Sequence, residues 1–127
     1  MLNKKDIISI LDKYNLDNKK YVVISSAAMV LYGIKESTKD IDIAVTKEYY
    51  QYLLNTYNCT YERTNELGNK VYFIDDIINF GIDYYTDYEI INNIQVQTID
   101  EIIKLKKELN RPKDIKDIKL IEKKMRL

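Results

Sequence analysis

The sequence predicts a single domain of mixed α+β fold that spans residues 1–127. Helices are indicated where apolar residues recur every three or four positions. Strands are indicated where short runs are rich in Ile, Val, Tyr and Phe. The predicted order, α-β-α-β-α-β-β-β-β-α-α, is typical of a mixed sheet with helices packed against it.

The first half of the chain contains three predicted helices and two predicted strands. An apolar stripe predicts the first helix, which Asn3 or Asp6 caps. A short apolar strand precedes a helix of small residues, for which Ser25 or Ser26 is the expected N-cap and Gly33 the stop. In chain order, these elements cover residues 4–14, 21–24, 27–32, 39–45 and 47–57.

The second half is predicted to contain four strands and two helices. Gly81 lies inside an apolar strand, which indicates a bulge or a close approach of another backbone. Thr98 or Asp100 is expected to cap the next helix, and Pro112 suits the first turn of the last one. These elements cover residues 59–64, 70–74, 77–85, 94–96, 101–109 and 112–125.

Composition restricts the chemistry that this chain can perform. There is no histidine, which excludes histidine-based zinc sites and Ser-His-Asp triads. Lysine plus arginine number 20 and aspartate plus glutamate number 20, so no strong nucleic-acid binding is expected from net charge. A single cysteine and no long apolar run predict a cytoplasmic protein without membrane contact.

Three acidic residues in predicted strands are candidate ligands for a metal ion. Asp40 and Asp42 are separated by one residue, so both side chains lie on the same face of an extended strand. Asp83 is the acid of a later apolar strand. If the two strands are neighbours, the three carboxylates would form an oxygen-only site that suits Mg²⁺ or Mn²⁺.

Simpler interpretations exist for each of these features. The paired acids could be the outward side chains of a half-exposed strand, and Asp83 could lie on an edge strand. Ser25 and Ser26 could serve only to cap a helix, although a helix N-terminus also suits phosphate. The lysines of the two C-terminal helices alternate with acids, which is typical of solvated faces.

The arrangement of these pieces resembles the signature of the DNA polymerase β-like nucleotidyltransferase superfamily. The residues that carry the resemblance read ISSAAMVLYGIKESTKDIDIAV and, later, FGIDYY. The resemblance is greatest to small bacterial single-domain members, whose motif reads like G-G-x-A-L-x-L-Y-G-x-R-x-x-T-x-D-I-D. Lys35 stands where arginine is usual, and Ser25 stands where glycine is usual. The segment from Arg111 to Asp114 also resembles an R-x-K-D segment of such proteins.

The resemblance implies a nucleotidyltransferase fold, with helices on one side of a mixed sheet and further helices at the C-terminus. It implies that Asp40, Asp42 and Asp83 are the catalytic and metal-binding residues, with Mg²⁺ or Mn²⁺ as cofactor. Ser25 and Ser26 would contact the phosphates of an NTP. Lys35 and Lys39, beside the paired acids, are candidate phosphate ligands, as are Lys70, Arg111 and Lys113.

The implied activity is transfer of a nucleoside monophosphate from an NTP to a hydroxyl acceptor, with release of pyrophosphate. The acceptor would be a small molecule, a protein side chain or an RNA end. A partner protein, as in toxin–antitoxin pairs, or a second copy of the chain could complete the acceptor site. Two rivals stay open: a degenerate, antitoxin-like binding module without catalysis, and a small α+β domain whose acids all lie at the surface.

Overall fold

The computed structural model describes residues 1–82 and 87–125. Within these residues it has five helices and a mixed sheet of seven strands, and no helix is both long and apolar enough to cross a membrane. The helices are α1 (Lys4–Lys13), α2 (Ser25–Leu31), α3 (Lys47–Thr56), α4 (Ile99–Leu109) and α5 (Pro112–Met125). The strands are β1 (Tyr21–Ile24), β2 (Ile41–Val45), β3 (Cys59–Thr64), β4 (Lys70–Ile74), β5 (Ile78–Ile82), β6 (Tyr88–Ile91) and β7 (Ile94–Gln97).

The predicted α+β class is confirmed, and the sheet has the order β3-β4-β5-β2-β1-β7-β6. The central strands β1 and β2 are antiparallel to each other, whereas β2 is parallel to β5 and β1 is parallel to β7. Antiparallel hairpins complete both ends of the sheet. The DxD segment, which consists of Asp40, Ile41 and Asp42, therefore lies at the centre of the sheet. Its neighbour β5 comes much later in the sequence.

Alternation along β2 and β5 gives the sheet one core face and one polar face. Ile41, Ile43 and Phe80 are almost completely buried, and they belong to the same core as the inner residues of α1, α2 and α3. Since side chains alternate, Asp42 and its register partner Asn79 lie on the opposite face. That second face carries the candidate site.

Most of the predicted helix ends are confirmed by side-chain hydrogen bonds. Asn3 caps α1 in a capping box with Asp6, and the hydroxyls of Thr46 and Thr98 cap α3 and α4. Gly33 follows the last residue of the α2 turn with φ +78°, a conformation that favours glycine. Caps of this kind depend on local sequence only, which explains why they were predictable.

Three predictions about individual elements are wrong. Neither serine caps α2, because the helix starts at Ser25 itself, Ile24 precedes it, and no side-chain cap hydrogen bond is formed. Strand β2 starts at Ile41 instead of residue 39. Strand β6 was not predicted, although Asn92 and Asn93, both at positive φ, join it to β7 in a tight hairpin that asparagine favours.

The sequence predicts a bulge or a close backbone approach at Gly81 of β5, but the structure places the side chain of Val71 from strand β4 against it instead. A Cβ atom at this position would lie 2.9 Å from Cγ2 of Val71, a buried and rotationally restricted side chain. We expect Gly81→Ala to lower the free energy of unfolding by about 1–3 kcal/mol through overpacking, measured by urea denaturation.

The matched test of this contact is the double variant Gly81→Ala/Val71→Ala. Because the shortened residue 71 makes room for the new methyl group, the double variant should be more stable than the sum of the two single changes predicts. Simple additivity of the two effects would contradict a steric origin.

Candidate functional site

A cleft of about 1080 Å³ opens between the polar face of the sheet and the two C-terminal helices. Asp42, Asn79 and Gly81 contribute its floor. One wall is formed by the end of β3 and the turn that follows it, and the other by α4 and α5. The cleft therefore joins the DxD strand to segments that lie twenty to eighty positions further along the chain.

Asp42 is the most strongly perturbed acid of the cleft. Its Oδ1 atom is fully buried and has no hydrogen-bond partner among the described residues. Burial, followed by the charge of Asp40, raises the pKa of Asp42 from 3.8 to about 6, and the Asn79 amide and Arg63 oppose this effect. A buried carboxylate without a cation is costly, so the site favours a positively charged ligand at this oxygen.

Asn79 is a site residue that the sequence analysis did not identify. It pairs in register with Asp42 on the adjacent parallel strand and is 6% exposed. Its side-chain interaction with Asp42 stabilises the ionised carboxylate and so lowers the pKa of that group. A buried asparagine inside the run INFGI was the available signal, because such a position otherwise favours an apolar residue.

The other two acids of the predicted cluster have different positions. Asp40 lies in the bend before β2 and is half-buried, and its charge acts on Asp42. Asp83 lies outside the described residues. Within residues 1–82 and 87–125, no group of three acidic, cysteine or histidine side chains is placed to hold a metal ion.

Ser25 enters the cleft with an unusual backbone conformation. Its φ is +56°, in the left-handed region that glycine adopts freely and other L-residues adopt at a cost. The backbone N–H of Ser25 donates to Oε1 of Gln97 at 3.2 Å, so it is tied to the end of β7. Ser25 thus retains a glycine-like backbone geometry while it adds a side chain to the cleft.

Lys35 connects the start of α2 to the C-terminal helices. Its Nζ donates to Oγ of Ser26 at 3.1 Å and lies 3.2 Å from the nearer carboxylate oxygen of Asp117. The Lys35 side chain is 23% exposed, so this ion pair is only partly screened by water. Ser26 and Lys35 consequently present a hydroxyl and an ammonium group at the same end of the cleft.

A buried ionic network continues from Asp117 into the helix pair. Lys106 Nζ lies 3.0 Å from Asp117 and 3.6 Å from Asp114, and Asp114 is bound by Arg111 Nε at 2.6 Å. Lys106 and Asp114 are both buried, which corrects the prediction that the charged residues of these helices are simply solvated. The network fixes α5 against α4 and holds it beside the floor of the cleft.

A β-bulge directs Arg63 into the cleft. Tyr61 pairs with Tyr72, whose ring packs towards Phe80 on the core side, whereas Arg63 pairs with Val71 on the cleft side. The register shift between Tyr61 and Arg63 reverses the alternation of the strand. Without the bulge, both side chains would lie on one face. In the cleft, Arg63 Nε lies 2.9 Å from the Glu62 carboxylate, and the Arg63 charge acts to lower the pKa of Asp42.

The cleft is strongly enriched in positive charge. Eight lysines and arginines line it against four acids, although the whole chain has no net charge. Lys35, Arg111 and Lys113 are among the lining residues. Lys39 is exposed, and neither it nor Lys70 is among the described residues that line the cleft. The distribution of charge suits an anionic ligand above a buried carboxylate.

The conformation of Ser25 leads to a paired prediction. Ser25→Gly should raise the free energy of unfolding by roughly 0.5–1 kcal/mol, since relief of the left-handed strain exceeds the gain in unfolded-state entropy. Ser26→Gly should have the opposite sign and cost about 1 kcal/mol, because it removes the bond to Lys35 and adds glycine to a helix. Chemical denaturation measures both, and two changes of equal sign would contradict this account.

Comparisons of the chain with models of protein families, with curated proteins and with solved structures found no match.

Proposed function

We propose that this protein is a metal-dependent nucleotidyltransferase that transfers a nucleoside monophosphate from an NTP to a hydroxyl acceptor. The observation that carries the proposal is Asp42, with its buried and unpartnered Oδ1 at the floor of a positively charged cleft. A carboxylate with one buried and unpartnered oxygen costs free energy, and a divalent cation with bound phosphates would offset that cost. The resemblance of the DxD segment to nucleotidyltransferases supports the same assignment.

The residues of the site fit Mg²⁺ or Mn²⁺. The Asp42 carboxylate is a hard ligand that the Asn79 amide holds in place, and Mg²⁺ is commonly bound by one or two carboxylates together with water and substrate phosphates. Asp40 adds negative charge close to the Asp42 carboxylate. When bound, the metal ion would neutralise phosphate charge and lower the pKa of the acceptor hydroxyl.

The chain's own residues orient the nucleotide in this proposal. Ser26 and Lys35 would bind the outer phosphates, with Lys35 exchanging part of its ion pair with Asp117 for a phosphate oxygen. In the transfer, the acceptor oxygen bonds to the α-phosphorus, the α–β anhydride bond breaks and pyrophosphate leaves. The proton of the hydroxyl passes to a carboxylate, the role that the resemblance implies for Asp83.

The direct test is incubation of the chain with each α-labelled NTP, Mg²⁺ or Mn²⁺, and candidate hydroxyl acceptors. Label should appear in an acceptor, pyrophosphate should be released in equal amount, and Asp42→Asn should abolish both. Pyrophosphate measurement makes the test independent of the identity of the acceptor. Equal activity of the wild-type chain and the Asp42 variant would overturn the proposal.

A second function, nucleotide binding without catalysis, is favoured by one specific observation. Ser25 adds a side chain where the backbone must pass close to phosphate, at a position whose φ of +56° favours glycine. In that case MgATP would stabilise the wild-type chain against thermal unfolding while no pyrophosphate is released. Ser25→Gly would then increase the stabilisation by MgATP without restoring transfer.

A further inference from the structure

We propose that the cleft face of α5 binds the phosphodiester backbone of a single-stranded nucleic acid, which is the acceptor class for this site. The surface consists of Lys113, Lys116, Lys119 and Lys123, and we call it the lysine row. The inference rests on the proposed function, because it identifies the acceptor of that same site. The structural observation behind the inference is that all four lysine side chains line the cleft.

The lysine row has the geometry of a track for a linear polyanion. Its members are three or four residues apart, so roughly one lysine is presented per turn, and the row extends about 15 Å along the helix. All four side chains are exposed, and all four line the cleft whose floor carries Asp42. None of the four lysines takes part in the Lys35–Ser26 hydrogen bond or the Lys35–Asp117 ion pair, so their charges are available to a second anionic group.

The lysine row differs from the other cations of the cleft because its positive charges have no carboxylate partner among the described residues. Lys35, Lys106 and Arg111 each have a carboxylate partner in Asp114 or Asp117. None of the four row lysines forms an ion pair with a described residue. Uncompensated cations on one face bind phosphate backbones through release of counterions, whereas the compensated cations hold the fold together.

A nucleic-acid strand suits both requirements of the site. Nucleotidyl transfer needs an acceptor hydroxyl near Asp42, and a strand with a free ribose end supplies this hydroxyl together with a row of phosphates. The row lines a concave cleft whose opposite wall carries the Arg63–Glu62 ion pair, so a flat anionic surface such as a bilayer cannot reach all four lysines. The zero net charge of the chain does not oppose this, because binding depends on the local excess in the cleft.

The test measures fluorescence anisotropy of a 5′-labelled short oligouridylate, in EDTA and without nucleotide, over a range of salt concentrations. The row variant carries Lys116→Gln, Lys119→Gln and Lys123→Gln. The control variant carries Lys5→Gln, Lys19→Gln and Lys47→Gln, which changes net charge equally at exposed positions outside the cleft. Glutamine maintains helix propensity, so loss of α5 is not expected.

The row variant should lose at least about tenfold in affinity at low salt, and its slope of log K against log salt should fall by about 2. The control variant should retain the wild-type slope. Equal losses in both variants, or no salt-dependent binding by the wild-type chain, would overturn the proposal. Unlabelled strand and polyglutamate of equal charge are then compared as competitors. If polyglutamate displaced the labelled strand as readily as unlabelled strand does, the proposal would also be overturned.

Failure of this inference can be distinguished from failure of the proposed function. Strand binding is measured without nucleotide or metal, whereas transfer is measured as pyrophosphate release that depends on Asp42. If pyrophosphate release depends on Asp42 but the row and control variants lose strand affinity equally, the proposed transferase activity stands and the strand-binding surface is excluded. If the strand binds through the lysine row but no pyrophosphate is released, the binding surface stands and the proposed transferase activity is excluded.

Discussion

Replacement of Asp42 by asparagine should stabilise the folded chain while it removes its proposed activity. Raising the pKa of a carboxyl group from 3.8 to about 6 costs roughly 3 kcal/mol at neutral pH, and the neutral amide avoids this cost. Because one buried amide atom stays without a partner, we expect a net gain of about 1–2 kcal/mol in the free energy of unfolding. Pyrophosphate release should fall at least about 100-fold through loss of the metal ligand.

The pH dependence of stability follows from the direction of this shift. Between pH 3.8 and about 6 the folded chain holds a proton on Asp42 that the unfolded chain has released. The contribution of Asp42 to wild-type stability therefore decreases as the pH rises through this window, and the advantage of Asp42→Asn should grow across the same window. Urea denaturation at several pH values between 4 and 7 measures the difference.

The control for this variant is Asp12→Asn, which removes one negative charge at an exposed position of α1. It should change stability by less than about 0.5 kcal/mol and leave release of pyrophosphate unchanged. Millimolar Mg²⁺ with ATP should stabilise the wild-type chain and the control but not Asp42→Asn. A less stable Asp42 variant at neutral pH would show that the carboxylate is favourably solvated or paired and would contradict the proposed site.

Replacement of Asp114 by asparagine should have the opposite effect on stability. Asp114 is fully buried, and its carboxylate accepts bonds from Arg111 Nε at 2.6 Å, from Arg111 Nη2 at 3.1 Å and from the Arg111 backbone at 3.1 Å. Lys106 lies 3.6 Å away. Asparagine removes the negative charge that Arg111 and Lys106 share, although Lys106 keeps Asp117 as a partner. We therefore expect a cost of about 2–3 kcal/mol, allowing for the partial exposure of Arg111.

The contribution of Asp114 should also have the opposite pH dependence. The hydrogen bond from the Arg111 side chain is the main reason that the pKa of Asp114 is lowered. Its stabilisation is therefore present above pH 3.8 and is lost as the pH falls through the lowered pKa of the folded chain. Wild type and Asp114→Asn should approach equal stability in strong acid, as measured by urea denaturation at pH values below 4.

Hydrogen exchange can locate the effect of Asp114→Asn. Because the ionic network joins α4 to α5, amide protection should fall most in these two helices and least in the central strands β1 and β2. Asp12→Asn again serves as the control. A variant whose protection falls uniformly, with no change in the relative order of segments, would contradict a local role of the network.

Local sequence predicted most of the helices and strands but not the order of the strands. Caps such as Asn3 and Thr46 depend on a few neighbouring residues, so the pattern was sufficient to find them. The bend at Asp40 shortens the predicted strand, and the backbone of Ser25 replaces the expected cap with a left-handed residue. Both departures lie beside the cleft, where strain is tolerated if the surrounding structure holds it.

The candidate site was predictable only in part. The DxD motif identified Asp42, because an acid inside a central apolar strand stands out from its neighbours. Asn79 was not identified, since its role depends on the parallel pairing of β2 with a strand that comes much later in the chain. Arg63 depends on a bulge, and the functions of Lys106 and Asp114 depend on the packing of two helices.

The sequence by itself determined the α+β class, the chemistry that the absence of histidine excludes, and the presence of two acids beside or within an apolar strand. The tertiary structure alone decided which charges meet. Positive residues spaced widely along the chain gather in one cleft, although the sequence as a whole is neutral. The physical reason is that Coulomb interactions depend on distance in space, and folding sets those distances through strand register and helix packing.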